Sequence, residues 1–329
     1  MGMIRYRYLL VTVPPVAILT VALVLFDMST SMTGEEFREQ IRSLADLSQP
    51  VTLNLALAEM RARYIWLASV VLNIVVPIAV AVFCTWILYR RVSWCHLAML
   101  TTVGVVLWLA ALMVVLHNQA TQGVLYRMAY GFTFLMLHSS DRFSATFLGH
   151  VQSILTLING LAIVVPVLAV LAACSTLAEP ADKHDANLDH YTDCMRRLRQ
   201  VLYAGSAILV TGILHMYNWL RWPAALIGND VVRDTAQGLA LSVTVFWGAT
   251  FTLILVATYA PAAIYLTRCA RERLESEASK ERPNIEQWLI ERGFFVGLSD
   301  ELPQISAIFA PLLAGPLGAL LTASMTNSQ

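Results

Sequence analysis

"YIWLASVVLNIVVPIAVAVFCTWIL", residues 64 to 88, is a run of 25 uncharged residues held between Arg63 and Arg90. A helix of that length is about 38 Å long, more than the roughly 30 Å of hydrocarbon in a bilayer. Working outward, five more windows have the same character: Leu9–Phe26, Leu97–Leu116, Ile154–Cys174, Val201–Leu220 and Leu239–Leu266. All 22 Lys and Arg and all 22 Asp and Glu fall outside the six windows. One such charge at the centre of a span costs about 2.5–3.5 kcal/mol on insertion, so the segregation marks membrane helices.

Composition agrees. The chain is 57% hydrophobic and 13% charged, where a soluble domain carries about a quarter charged residues. Net charge is zero, so no basic field points to nucleic acid. No Walker or dinucleotide-type glycine loop is present, and no repeat of 20–50 residues is visible. The expected fold is an all-α polytopic membrane protein of six transmembrane helices, with long helices extending outside the bilayer and a short helical cytoplasmic C-terminal tail. Residues 1–267 form the bundle with an outer helical cap, and residues 268–329 form the tail.

The first window reads as an uncleaved anchor. It is longer than a signal-peptide core, and "FDMSTSMTG" after it holds no A-x-A site. Pro14 and Pro15 inside it are expected to kink the helix.

Basic residues set the orientation. With the N-terminus in the cytoplasm, inner segments hold 14 of the 22 Lys and Arg, an excess that places both termini inside. Cys84, Cys95, Cys174, Cys194 and Cys269 all fall within spans or on that inner side, as befits thiols in a reducing cytosol. Trp66, Trp219 and Trp222 mark the outer interface, and Trp86 and Trp94 the inner one. The chain is thus expected in a cell membrane, a cell inner membrane, crossing it several times.

Outside the lipid, Thr33 with Glu36 has capping-box spacing, followed by Phe37, Ile41, Leu44 and Leu47 at helical intervals. Residues 178–193 read as a polar inner loop. Beyond Leu266 the sixth helix turns charged, and "IEQWLIER" at 285–292 reads as a short surface helix that includes Trp288.

The apolar tail "IFAPLLAGPLGALLTA", residues 308 to 323, is harder. Pro311 obstructs the carbonyl of Ala307, and Pro316 that of Leu312, with Gly315 between them. Several backbone groups would be orphaned in lipid. A re-entrant or interfacial hairpin is therefore expected over a straight seventh span, with Trp288, Pro311, Gly315 and Pro316 as candidate assembly contacts.

His215 is the only histidine or formally charged residue inside the windows. Thr211, His215 and Asn218 share one helix face, and Asn73 and Asn159 lie near the same outer depth. These five are the candidates for a vestibule or ligand pocket, beside the plainer reading of interhelical hydrogen bonding. His117 and His215 are the only weak candidates for a metal or a haem at matching depth; no cofactor is expected, and no catalytic constellation occurs. Without buried carboxylates, ion-coupled transport is disfavoured.

Three functional readings stand. The first is a non-enzymatic membrane protein that self-assembles as a channel, membrane effector or sensor, with the lipid bilayer and further copies as partners. The second is a membrane subunit of a larger complex, for instance a redox complex holding haem or quinone. The third is an uncoupled transporter of an apolar or lipid-like substrate.

Overall fold

The computed structural model describes residues 7–29, 53–91, 94–121, 123–140, 142–177, 188–277 and 298–326, with isolated positions at 35, 36, 39, 40, 43, 289 and 294. Every described element is helical, and no strand occurs among the described residues. A 3-10 turn, Arg7–Thr12, leads into α1, Val13–Asp27. Long helices follow: α2, Leu53–Arg91, and α3, Trp94–Thr121. The cap is built from α4 (Val124–Tyr126), a π turn (Arg127–Gly131) and α5 (Phe132–His138). Then come α6, Ala145–Ser175, and α7, Leu188–Arg221, with a 3-10 turn at Trp222–Leu226. Last are α8, Asp230–Glu277, and α9, Leu298–Thr326.

Local chemistry explains several of these boundaries. Ser144 accepts a hydrogen bond from the backbone N–H of Phe147 at 3.2 Å and so caps α6. Asn229 does the same for α8, accepting from the N–H of Val232 at 3.2 Å. Pro14 and Pro15 fall in the first turn of α1, where a missing N–H costs no helical bond. The expected kink is thus a junction between 3-10 and α geometry. In α8, 48 residues make a rod about 72 Å long, which extends well beyond a bilayer.

Seven helices are long and apolar enough to cross a membrane: α1, α2, α3, α6, α7, α8 and α9. The axial helix is α7, with α2, α6, α8 and α9 packed around it. On α8 rests α1, while α3 sits at the periphery against α6. Two apolar clusters fill the bundle. One, near the Cys194 end, includes Cys84, Ile87, Cys174, Leu198 and Leu266. The other, near the Trp222 end, includes Trp66, Val151, Ile213, Trp219 and Trp247.

The C-terminal segment departs from expectation. Rather than two short helices in a hairpin, residues 298–326 form one uninterrupted helix with Pro303, Pro311 and Pro316 inside it. The physical reason is supplied by the neighbours. Ser206 of α7 donates its hydroxyl to the carbonyl of Ala307 at 2.5 Å, the group that Pro311 deprives of its helical partner. Close backbone approach completes the seat. A Cβ at Gly248 would stand 2.6 Å from the carbonyl oxygen of Pro311, and one at Gly315 would stand 2.9 Å from the hydroxyl of Thr244. What reads as a broken helix in isolation is a docked one here.

Direction follows from the same contacts. Leu289 and Phe294 belong to the cluster at the Cys194 end, whereas Ala314 belongs to the cluster at the Trp222 end. Val11 and Phe26 repeat that order along the first helix. Both α1 and α9 therefore run toward the Trp222 end, and the two described chain ends lie at opposite ends of the bundle. The expectation of both termini inside rested on the basic asymmetry and the inner cysteines, with the tail read as a hairpin after six spans.

Two smaller differences have similar causes. Residues 188–193, read as the end of a polar loop, are already helical in α7. Trp66, Trp219 and Trp222 do not face lipid; they are buried against one another, with Trp66 stacked on Trp222 at 4.8 Å between ring centroids. Trp288, the "IEQWLIER" helix apart from Leu289, and most of the outer segment from Thr33 to Leu47 lie outside the described residues.

Candidate functional site

The ring of helices around α7 is not closed. Both α2 and α9 pack on α7 but not closely on each other. At the Trp222 end this gap widens into a cleft of about 530 Å³, lined by Arg61 and Ile65 of α2, Tyr217, Asn218 and Arg221 of α7, Arg233, Gln237 and Leu241 of α8, and Ala319 of α9.

Its electrostatics are unusual. Among the described residues, three arginines converge on it with one lining carboxylate, Asp234. Arg233 is held by Asp230 one turn away on its own helix. Arg61 and Arg221 form no salt bridge among the described residues, and both line the same cleft, where like charges disfavour each other. Both are half-buried, where effective dielectric is lower than in water and the repulsion is less screened. Such a pair is stabilised by an anion between its members, and the guanidinium fork suits phosphate or carboxylate.

A buried network fixes the geometry. The indole N–H of Trp222, completely buried, donates to Glu59 Oε1 at 2.9 Å. Glu59 also pairs with Arg63 at 3.4 Å, and the Arg63 guanidinium lies over the Phe147 ring at 5.6 Å. Because Arg221 immediately precedes Trp222, the Trp222–Glu59 bond ties the end of α7, and with it the backbone of Arg221, to α2. Thr133 adds a tie from the cap, donating to the backbone carbonyl of Trp219 at 3.0 Å. In the cap itself Tyr126, Tyr130 and Phe134 form a ladder with centroids 5.2 and 5.1 Å apart, and burial, with Tyr126 adding to it, pushes the Tyr130 phenol up to about 12.

Of the five residues singled out from sequence, Asn218 lines the cleft. His215 is buried behind it, its ring 6.4 Å from that of Trp66. Thr211 turns its hydroxyl back onto α7, donating to the carbonyls of Ala207 and Ile208 at 3.1 and 2.9 Å. Asn73 is buried in the bundle, and Asn159 is exposed on α6. His117, His138 and His150 are exposed. His117 sits on the peripheral α3 and His215 on the axial α7, so the two are not presented to each other as paired ligands, and no group of three potential metal ligands occurs among the described residues.

Sequence reasoning missed the arginines. A signal was present: Arg61, Arg221 and Arg233 all belong to the segments that hold the minority of the basic residues, read from sequence as the outer ones. Their convergence from three separate helices is a property of the fold alone. No family model, curated protein or solved structure matches the chain.

Proposed function

We propose that this is a non-enzymatic, seven-span membrane protein that recognises an anionic ligand in the arginine cleft and acts as a sensor or an uncoupled carrier. The observation that carries the reading is the Arg61–Arg221 pair: two half-buried guanidinium groups that line one cleft and have no salt-bridge partner among the described residues. Asp234 shares the cleft with three arginines and forms no salt bridge with either member of the pair among the described residues, so the lining keeps an excess of positive charge. A channel along the axis of one copy is disfavoured, because the axial and flanking helices bury Ile213, Leu198 and Trp66 among them.

Sidedness belongs to the same reading. All 22 Lys and Arg, split 14 to 8, precede Leu302 and the tail beyond carries no charge, so a seventh span leaves the charge bias intact. The N-terminus then faces the cytoplasm, while the cleft and the C-terminus face outward.

The experiment is a thermal-shift series in detergent with inorganic phosphate, pyrophosphate and sulfate against their chloride-matched controls. A ligand held at a hundred times its Kd stabilises by about 2.7 kcal/mol, a readable rise in Tm. The rise should vanish in R61Q/R221Q. If no anion raises Tm in the wild type, and anionic lipid does not either, the reading fails.

A further inference from the structure

We infer that the ligand of the cleft is a phosphate-bearing lipid taken sideways from the surrounding bilayer, its headgroup on Arg61 and Arg221 and its acyl chain along the furrow between α2 and α9. This rests on the anion-binding reading above and narrows it to one class.

The first support is the gradient of character within the site. Its mouth is cationic and polar, with Arg61, Arg221 and Gln237, whereas its lower wall is Ile65, Leu241 and Ala319. A soluble anion has no use for that apolar lip, and a lipid phosphate does. The second support is the opening itself. Since α2 and α9 flank α7 without packing closely on each other, there is room beside the cleft for an acyl chain to lie between them.

Helical spacing carries the groove further. On α2, Ala68 and Leu72 follow Arg61 at i+7 and i+11, within about 20° of the same face. Both are exposed. On α9, Leu312 stands at i−7 from Ala319 and is half-buried. The wall beneath the arginines is therefore aliphatic on both sides, with no charge along it. Depth fits as well: the arginines lie level with the Trp66–Trp219–Trp222 cluster at the end of the apolar spans, where lipid phosphates reside. Arginine at that level reaches phosphate bidentately from a stem that is itself apolar.

The test separates a lipid from a free anion. Wild-type protein in nanodiscs of phosphatidylcholine with a minor fraction of phosphatidic acid is released into the gas phase, and the retained lipid is identified by native mass spectrometry. Inorganic phosphate binding is measured in parallel by calorimetry. Phosphatidic acid should be retained over phosphatidylcholine, excess inorganic phosphate should not displace it, and retention should fall at least about fivefold for each arginine changed to Gln. Ala68→Trp, which fills the furrow from an exposed position, should lose the lipid while leaving inorganic phosphate binding and the melting temperature unchanged. Equal retention of both lipids, alongside phosphate binding that Ala68→Trp does not touch, would overturn the lipid assignment and leave the anion reading standing. Retention that survives R61Q/R221Q would also overturn it, since the lipid then sits elsewhere. Binding of neither probe removes both.

Discussion

Ser206 and Ala307 are 101 positions apart in the chain, and the hydroxyl of one lies 2.5 Å from the carbonyl of the other. That bond answers a defect written into α9, where Pro311 cannot donate to Ala307. Helix–helix hydrogen bonds in membranes average about 0.6 kcal/mol. Ser206→Ala should lower stability by about that much in the wild type. In a Pro311→Ala background the carbonyl regains its helical donor, so the same substitution should cost less. A double-mutant cycle by thermal melting reads the coupling; strictly additive effects would mean that the hydroxyl does not serve this carbonyl.

Gly248 marks the tightest contact between α8 and α9, because an added Cβ meets backbone rather than a movable side chain. Gly248→Val should cost about 1–3 kcal/mol through overpacking and render the segment from Leu298 onward sensitive to protease. Gly212→Ala, where an added Cβ meets nothing within 4 Å, should be silent or slightly stabilising. Equal behaviour of the two variants would contradict the docking of α9.

With α1 and α9 running the same way along the bundle, the proposed sidedness puts the C-terminus outside and the N-terminus inside. An epitope tag after Gln329 should accordingly be digested by protease added to intact cells, while a tag before Met1 should be protected. Protection of the C-terminal tag would return that segment to a hairpin.

How much of this was legible beforehand depends on the range of the forces involved. Spans were legible because a charge at bilayer depth is costly wherever it occurs, so the segregation shows along the chain. The fate of Pro311 was not: the sequence displays the orphaned carbonyl of Ala307 but not Ser206, its donor on another helix. The arginines behaved likewise. Arg61, Arg221 and Arg233 look like scattered interfacial residues until α2, α7 and α8 bring them to one cleft. Trp66 and Trp222 looked like belt residues for the same reason, since stacking between helices leaves no mark on spacing.

The Glu59–Trp222 bond offers a test of the frame behind the arginines. Glu59→Leu leaves a buried indole N–H without its acceptor and Arg63 without its partner, and should cost about 1–3 kcal/mol. Glu59→Gln keeps an acceptor for Trp222 and should cost less. Both variants, read by tryptophan fluorescence and melting, should also weaken the anion response through the shift of Arg221. A normal response in a destabilised Glu59→Leu protein would separate the network from the cleft.

The most direct measurement places an opposite charge within the arginine pair. If Arg61 and Arg221 are kept uncompensated for a ligand, Arg221→Glu converts their repulsion into an ion pair. The variant should then melt at a higher temperature than the wild type without ligand, and its melting temperature should no longer respond to phosphate or to phosphatidic acid. A variant that melts lower, or that still responds to either anion, would contradict the account.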